Sequence, residues 1–241
     1  MNILVIVPIT GPSNADIELT KKHLAMVAAA DTQLDVVKLD YGPESIEFSL
    51  DEYYAAPEIL SRVGEAEKNG YDAVVVSCFG DPALHAAREC VRIPMVGLME
   101  SSMMLASMLG DKFSIVTAPK ETVPSMKRMT KMVAVENKLA SIRAISVPVL
   151  RLHENEKATK RAFIEEAKSA IEEDGADVVI PGCGGFSAWA SELAEELGVP
   201  VVDPGGAALK IAEALVKLRL THSRLSYPSP STKKRTLPSL G

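Results

Sequence analysis

No apolar run in this 241-residue chain is long enough to span a bilayer; the strongest near the amino terminus, Ile3 to Ile9, has neither a preceding basic region nor a small-residue cleavage site. A membrane partner is therefore not expected, and the cytoplasm is the expected compartment. Basic residues are also short, 26 against 32 acidic ones, and the resulting charge of −6 disfavours nucleic-acid binding. Cysteine is scarce. Cys78, Cys90 and Cys183 are odd in number and show no CxxC spacing, which argues against a disulfide framework and a zinc ribbon. His23, His85, His153 and His222 lie scattered, so no metal site is expected. The turn Thr10-Gly-Pro-Ser-Asn14 lacks the Gly-x-Gly-x-x-Gly pattern of a dinucleotide site.

What is present is a large apolar fraction, 47%, arranged in short β-branched runs separated by helical stretches. The runs predict strands at Ile3–Ile9, Leu34–Leu39, Ala73–Ser77, Met95–Leu98, Phe113–Thr117, Ile142–Val147, Val178–Ile180 and Val199–Val202. Helices are predicted at Ala15–Ala30, Pro57–Asn69, Pro82–Cys90, Ser101–Leu109, Pro124–Val135, Glu156–Glu173, Ser187–Leu197 and Ala207–Leu218. This alternation is α/β. Gly70, Gly110, Gly175 and Gly198 suit left-handed helix ends, and Asp81-Pro82 reads as the cap and first residue of a helix. The methionine-rich stretch Met99 to Met108 reads as core. Residues 228–241, rich in proline, serine and basic residues, read as a flexible tail.

An internal repeat carries most information. Tyr71-Asp-Ala-Val-Val-Val-Ser-Cys78 matches Ala176-Asp-Val-Val-Ile-Pro-Gly-Cys183 at an offset of 105, and Ile93-Pro94-Met95-Val96 matches Val199-Pro200-Val201-Val202 at 106. Two pseudo-symmetric lobes follow, each a parallel sheet flanked by helices, with the active site in the cleft between them. Each lobe then ends a strand on a cysteine. Inverting a stereocentre with an acidic proton calls for two opposed acid/base groups, and one thiol per lobe meets that need. The N–H groups of Phe79-Gly80-Asp81 and Gly184-Gly185 are expected to lower the thiol pKa values and to hold a developing enolate oxygen. A lone strand-end cysteine is more often packing than catalysis; symmetric placement favours function for Cys78 and Cys183, and packing for Cys90. Asp72 and Asp177 read as solvated residues entering strands.

At these positions the chain resembles a known family. Ser77-Cys-Phe-Gly-Asp-Pro82 and Gly182-Cys-Gly-Gly185 are similar to the aspartate/glutamate/hydantoin racemases, the hydantoin branch above all. Gly42-Pro43-Glu44-Ser45-Ile46-Glu47, Pro94 to Leu98, Phe113 to Thr117 and Gly198 to Pro204 carry the likeness across residues 1–227. The resemblance implies a cofactor-independent racemase of C5 of 5-substituted hydantoins or a related ureide such as allantoin, and a homo-oligomer. It implies Cys78 and Cys183 as the two bases, with Phe79, Gly80, Gly184 and Gly185 at the substrate and Thr117 at a strand end nearby; Asp81, beside its helix-cap reading, is a further candidate for substrate binding. Its lobe boundaries imply residues 1–98 plus 204–227 as the first lobe and 99–203 as the second. Hydantoin racemases carry an Asn-Pro-Asn-like turn where this chain reads Pro8-Ile-Thr-Gly-Pro-Ser13, which gives Thr10 the asparagine's place. The amino-acid racemases follow their cysteines with polar pairs that are absent here, and Phe79 and Phe186 suggest a less charged ligand instead. An aspartate/glutamate-type racemase, an arylmalonate-type decarboxylase and a small-molecule binding protein remain open.

Overall fold

The computed structural model describes residues 1–231 and 233. Among them strands and helices alternate: β1 (Asn2–Val7), α1 (Asn14–Val27), β2 (Gln33–Lys38), α2 (Ser49–Lys68), β3 (Ala73–Val76), α3 (Leu84–Cys90), β4 (Met95–Gly97), α4 (Leu98–Leu109), β5 (Phe113–Thr117), α5 (Val123–Met132), β6 (Leu139–Ala144), α6 (Glu156–Glu172), β7 (Val178–Pro181), α7 (Ala190–Leu197) and α8 (Pro204–Lys217). They form two parallel sheets, ordered β2-β1-β3-β4 and β6-β5-β7. In each, the chain leaves the central strand (β1 or β5) for one side and returns on the other. That reversal leaves a crevice beyond the carboxyl ends of β1 and β3, and of β5 and β7.

Alternating side chains sort the core. Ile3, Val5, Ala73 and Val75 of the first sheet and Phe113, Ile115, Val178 and Ile180 of the second share one cluster with α4 and α8. Leu4, Ile6, Val74 and Val76 point the other way, onto Ile59 and Val63 of α2 and Leu84 and Ala87 of α3. Val116 and Val179 likewise meet Phe163 and Ala167 of α6. The helix that follows each sheet's last segment crosses over: α4 packs on β5 and β7, and α8 on β3 and β4. Fully burying a residue such as Leu98 or Met103 contributes about 1.5–3 kcal/mol, so this shared layer holds the sheets together.

The repeat extends into hydrogen bonding. Gly70 and Gly175 both have left-handed φ, 79° and 76°. Val74 N–H donates to Pro94 O and Val179 N–H to Pro200 O, each 3.0 Å. Asp72 and Asp177 are exposed but not merely solvated: Asp72 accepts the Asn2 N–H (2.7 Å), and Asp177 those of Asp111 and Lys112 (2.8 and 3.0 Å), at the starts of β1 and β5.

Several expectations are corrected. The helix predicted from Pro57 starts at Ser49, because Asp51 accepts the N–H groups of Glu47 and Phe48 (3.0 and 2.9 Å) at its first turn; Pro57 forfeits one backbone bond inside it. The strand predicted at Ile142–Val147 is β6, set three residues earlier by its register with β5. Val199–Val202 gives only an isolated bridge, Val201 to Val179, since Pro200 has no N–H for a ladder. Gly110 is extended (φ −154°) rather than left-handed; a Cβ there would lie 2.2 Å from Asp177 Oδ1, so close approach is what needs glycine. Of the methionines, Met99 and Met103 are core, whereas Met104 and Met108 are exposed. Within the expected tail, residues 228–231 carry no helix or strand, and residues 232 and 234–241 lie outside the described ones. No helix among the described residues is long and apolar enough to cross a membrane.

Asp81 does not cap the helix it precedes. With φ of 47°, and Ala83 at 58°, the chain turns before α3, and the buried Asp81 carboxyl accepts the N–H groups of Met99 and Glu100 (3.0 and 2.9 Å) at the start of α4. At the equivalent place Ser187 Oγ accepts the Gly205 N–H (3.2 Å) at the start of α8. Asp81→Ala strands two N–H groups and is expected to lower unfolding free energy by about 1–3 kcal/mol in urea titration, with Asp81→Asn losing less.

Candidate active site

Just past β3 and β7 the backbone makes the same turn twice. Asp81 N–H donates to Cys78 O and Phe186 N–H to Cys183 O, both at 3.1 Å. Two residues beyond each cysteine a glycine N–H reaches the sulfur: Gly80 to Cys78 Sγ at 3.5 Å, and Gly185 to Cys183. The two turns abut. A Cβ built on Gly184 would sit 3.8 Å from Ser77 O and 3.5 Å from Leu98 Cδ2, in ordinary contact with the first turn, so the two turns are neighbours.

Both cysteines line one cavity of about 1020 Å³. This lies at the upper end of the ~300–1,000 Å³ usual for small-molecule sites, room for a small ring and a substituent together. Phe79, Gly80, Thr117, Gly184 and Gly185 line it as expected. Thr117 Oγ1 donates to Gly182 O (3.2 Å) and shares a bond with Thr122 Oγ1 (3.1 Å), tying the end of β5 to the second turn. Two expected residues do not line it. Thr10 turns its hydroxyl to Pro43 O (3.2 Å), and Asp81 is spent on α4. Phe186 is fully buried between Phe163 and Trp189, so Trp189 faces the cavity in its stead.

Other lining residues carried no sequence expectation. Glu52 stands in the first turn of α2, hidden from sequence reading by the misplaced helix start. Glu47 reaches across to the loop after β6, where its Oε1 accepts the Val149 N–H (2.8 Å). Leu150, Leu152 and His153 follow in that loop; the Gly11 backbone packs on Leu150, and Gly185 lies beside Leu152 and His153. A shared signal existed only for Glu47, at the end of the Gly42-to-Glu47 segment.

The thiols are not acidified as expected. Burial pushes Cys78 well up, the Gly80 N–H opposes it, and the charges of Cys183, Asp81 and Glu52 add to the rise. Burial likewise pushes Cys183 up to about 11 against the Gly185 N–H, with Glu47 adding to the rise. Burial also pushes Asp81 up to about 7, against the two N–H bonds that favour its charge. In the free protein both cysteines are thiols at neutral pH. Cys90, on α3, does not line the cavity. Among the described residues no group of three or more His, Cys, Asp or Glu could hold a metal ion.

The chain as a whole has counterparts among known proteins. Hydantoin racemase from Pseudomonas sp. (strain NS671) is 38% identical over 238 residues, 97% of this chain and 94% of that protein. Hydantoin racemase from Paenarthrobacter aurescens is 36% identical over 236 residues, 97% and 99% of the two chains. The solved allantoin racemase from Klebsiella pneumoniae is 34% identical with a TM-score of 0.93, covering 98% of this chain and 96% of that one. The family model described as Asp/Glu/Hydantoin racemase matches residues 6–212, both cysteine turns included, and with such relatives along its length the chain belongs to that family.

Proposed function

We propose that this protein racemises C5 of 5-substituted hydantoins or of allantoin, without a cofactor, using Cys78 and Cys183 as opposed acid/base groups. The observation that carries the reading is the duplicated turn, which sets one thiol from each sheet on one cavity with the same N–H support at the sulfur. Residues 1–98 with 204–227 act as one lobe and 99–203 as the other, each lending a thiol. The chemistry of the hydantoin and allantoin racemases named above supplies the substrate class.

The steps balance with protons alone. One cysteine, as thiolate, takes the C5 hydrogen; the electron pair moves into the ring as an enolate with its charge on the C4 oxygen. The other cysteine, as thiol, returns a proton to the opposite face and becomes the thiolate. The glycine N–H at each sulfur favours the charged form that burial opposes, so neither thiol is locked in one state. Reversal of the two roles serves the other enantiomer.

Cys78→Ser and Cys183→Ser are each expected to cut racemisation by at least about a hundredfold, followed by optical rotation of one hydantoin enantiomer, because a hydroxyl cannot serve as the base. In deuterated water each variant still exchanges the C5 hydrogen of one enantiomer, and the two favour opposite enantiomers. Near-normal racemisation by either would sink the two-base assignment. The raised thiol pKa values give a second expectation. Below its pKa the thiolate fraction grows about tenfold per pH unit, so iodoacetamide labelling of Cys183 in the free protein should climb steadily from pH 7 to about 10. A plateau near pH 8.5 would show that burial does not govern it.

A further inference from the structure

Glu52 enters the cavity from α2 beside the first cysteine turn. A Cβ built on Gly80 would lie 3.1 Å from Glu52 Oε1 and 3.8 Å from Cys78 Sγ, so carboxylate and sulfur flank the same point. Glu47, the other glutamate of this region, is bonded to the Val149 N–H. Neighbouring Asp51 is engaged by two backbone N–H groups. Glu52 differs from both. Among the described residues its carboxyl makes no side-chain hydrogen bond, and Arg128, whose charge reaches it, donates to Ser49 Oγ (3.3 Å) instead. Burial pushes this carboxyl up, against the pull of Arg128 and with a contribution from Asp51. The carboxyl lines the cavity with no protein donor spent on it, which leaves it open to an N–H carried in by a ligand.

A cyclic ureide carries such donors, because its ring nitrogens bear N–H groups and one of them is bonded to the carbon that reacts. We infer that Glu52 is a specificity-determining residue that accepts a ring N–H of the substrate, an assignment resting on the hydantoin or allantoin reading above. The same carboxylate repels a substrate carboxylate brought to Cys78, which turns the site away from free amino acids and toward neutral rings. Glu52 thereby selects by hydrogen-bond polarity, where the apolar lining alone would select by size. A site built to pair a polar group rejects analogues lacking it far better than an apolar pocket can.

The test separates this role from a general electrostatic one. Glu52→Gln removes a charge that raises the Cys78 pKa, which alters turnover of every substrate alike, so the reading to take is binding. Dissociation constants of hydantoin, 1-methylhydantoin and 3-methylhydantoin are measured by NMR titration on the wild type, Glu52→Gln and Glu52→Ala. For hydantoin, Glu52→Gln is expected to weaken binding about tenfold and Glu52→Ala more. For one of the two methylated rings, wild type and variants should bind alike, since methylation has already removed the N–H that Glu52 accepts. Equal losses on all three rings, or no loss on hydantoin, overturn the assignment. Binding with the expected pattern but no racemisation of any hydantoin or allantoin by the wild type would overturn the catalytic reading and leave the contact standing. Absence of hydantoin binding by the wild type would overturn both.

Discussion

Leu98, Met99 and Met103 of α4 and Ala208, Leu209 and Ala212 of α8 share one apolar cluster with the inner faces of both sheets. Because each of these helices packs on the sheet it does not directly extend, neither sheet can bury its inner face alone. The exchange sets the sheets' relative position, and with it the approach of the two cysteine turns. Tight packing of this kind tolerates little displacement, so the cavity inherits its width from the core rather than from its own loops.

The two halves use the same backbone and different side chains to anchor that exchange. Asp81 holds the first turn of α4, whereas at the first turn of α8 Ser187 shares the Gly205 N–H with the helix's own cap, Asp203. Each anchor lies in the turn that presents a cysteine. Helix docking and thiol placement are thus one structural event in both halves, and the electrostatic cost of a buried carboxyl falls only on the first. The pressure on Cys78 from Asp81 and Glu52 has no full counterpart at Cys183, where Glu47 alone contributes. The pair is symmetric in geometry and unequal in proton affinity, as two groups exchanging acid and base roles on different enantiomers can be.

Burial sets the resting protonation of the cavity, and backbone N–H groups temper it. A thiolate formed there would be held by one glycine N–H at each sulfur, while Lys160 is engaged by Glu156 and Glu192 and Arg128 by Ser49. On the proposed mechanism, proton transfer between substrate and sulfur in such surroundings would depend on the substrate's own acidity and on its displacement of water from the cleft.

The sequence by itself determined the α/β alternation, the repeat and the two cysteines with their glycine turns, because strand-end positions and an offset of 105 are local or periodic features that burial preserves. It also carried the family likeness along most of the chain. Other assignments depended on direction in space. Thr10 and Asp81 sit in the right segments, yet one faces Pro43 and the other α4, and Phe186 turns into the core while Trp189 reaches the cavity. Glu52 escaped notice because the start of α2 is set by Asp51 gathering backbone N–H groups, which a proline eight residues later obscures in the sequence. Only the tertiary structure decided which side chains near the cysteines face the ligand, since that follows from how two sheets and two exchanged helices pack, and no local pattern encodes the facing direction of a loop.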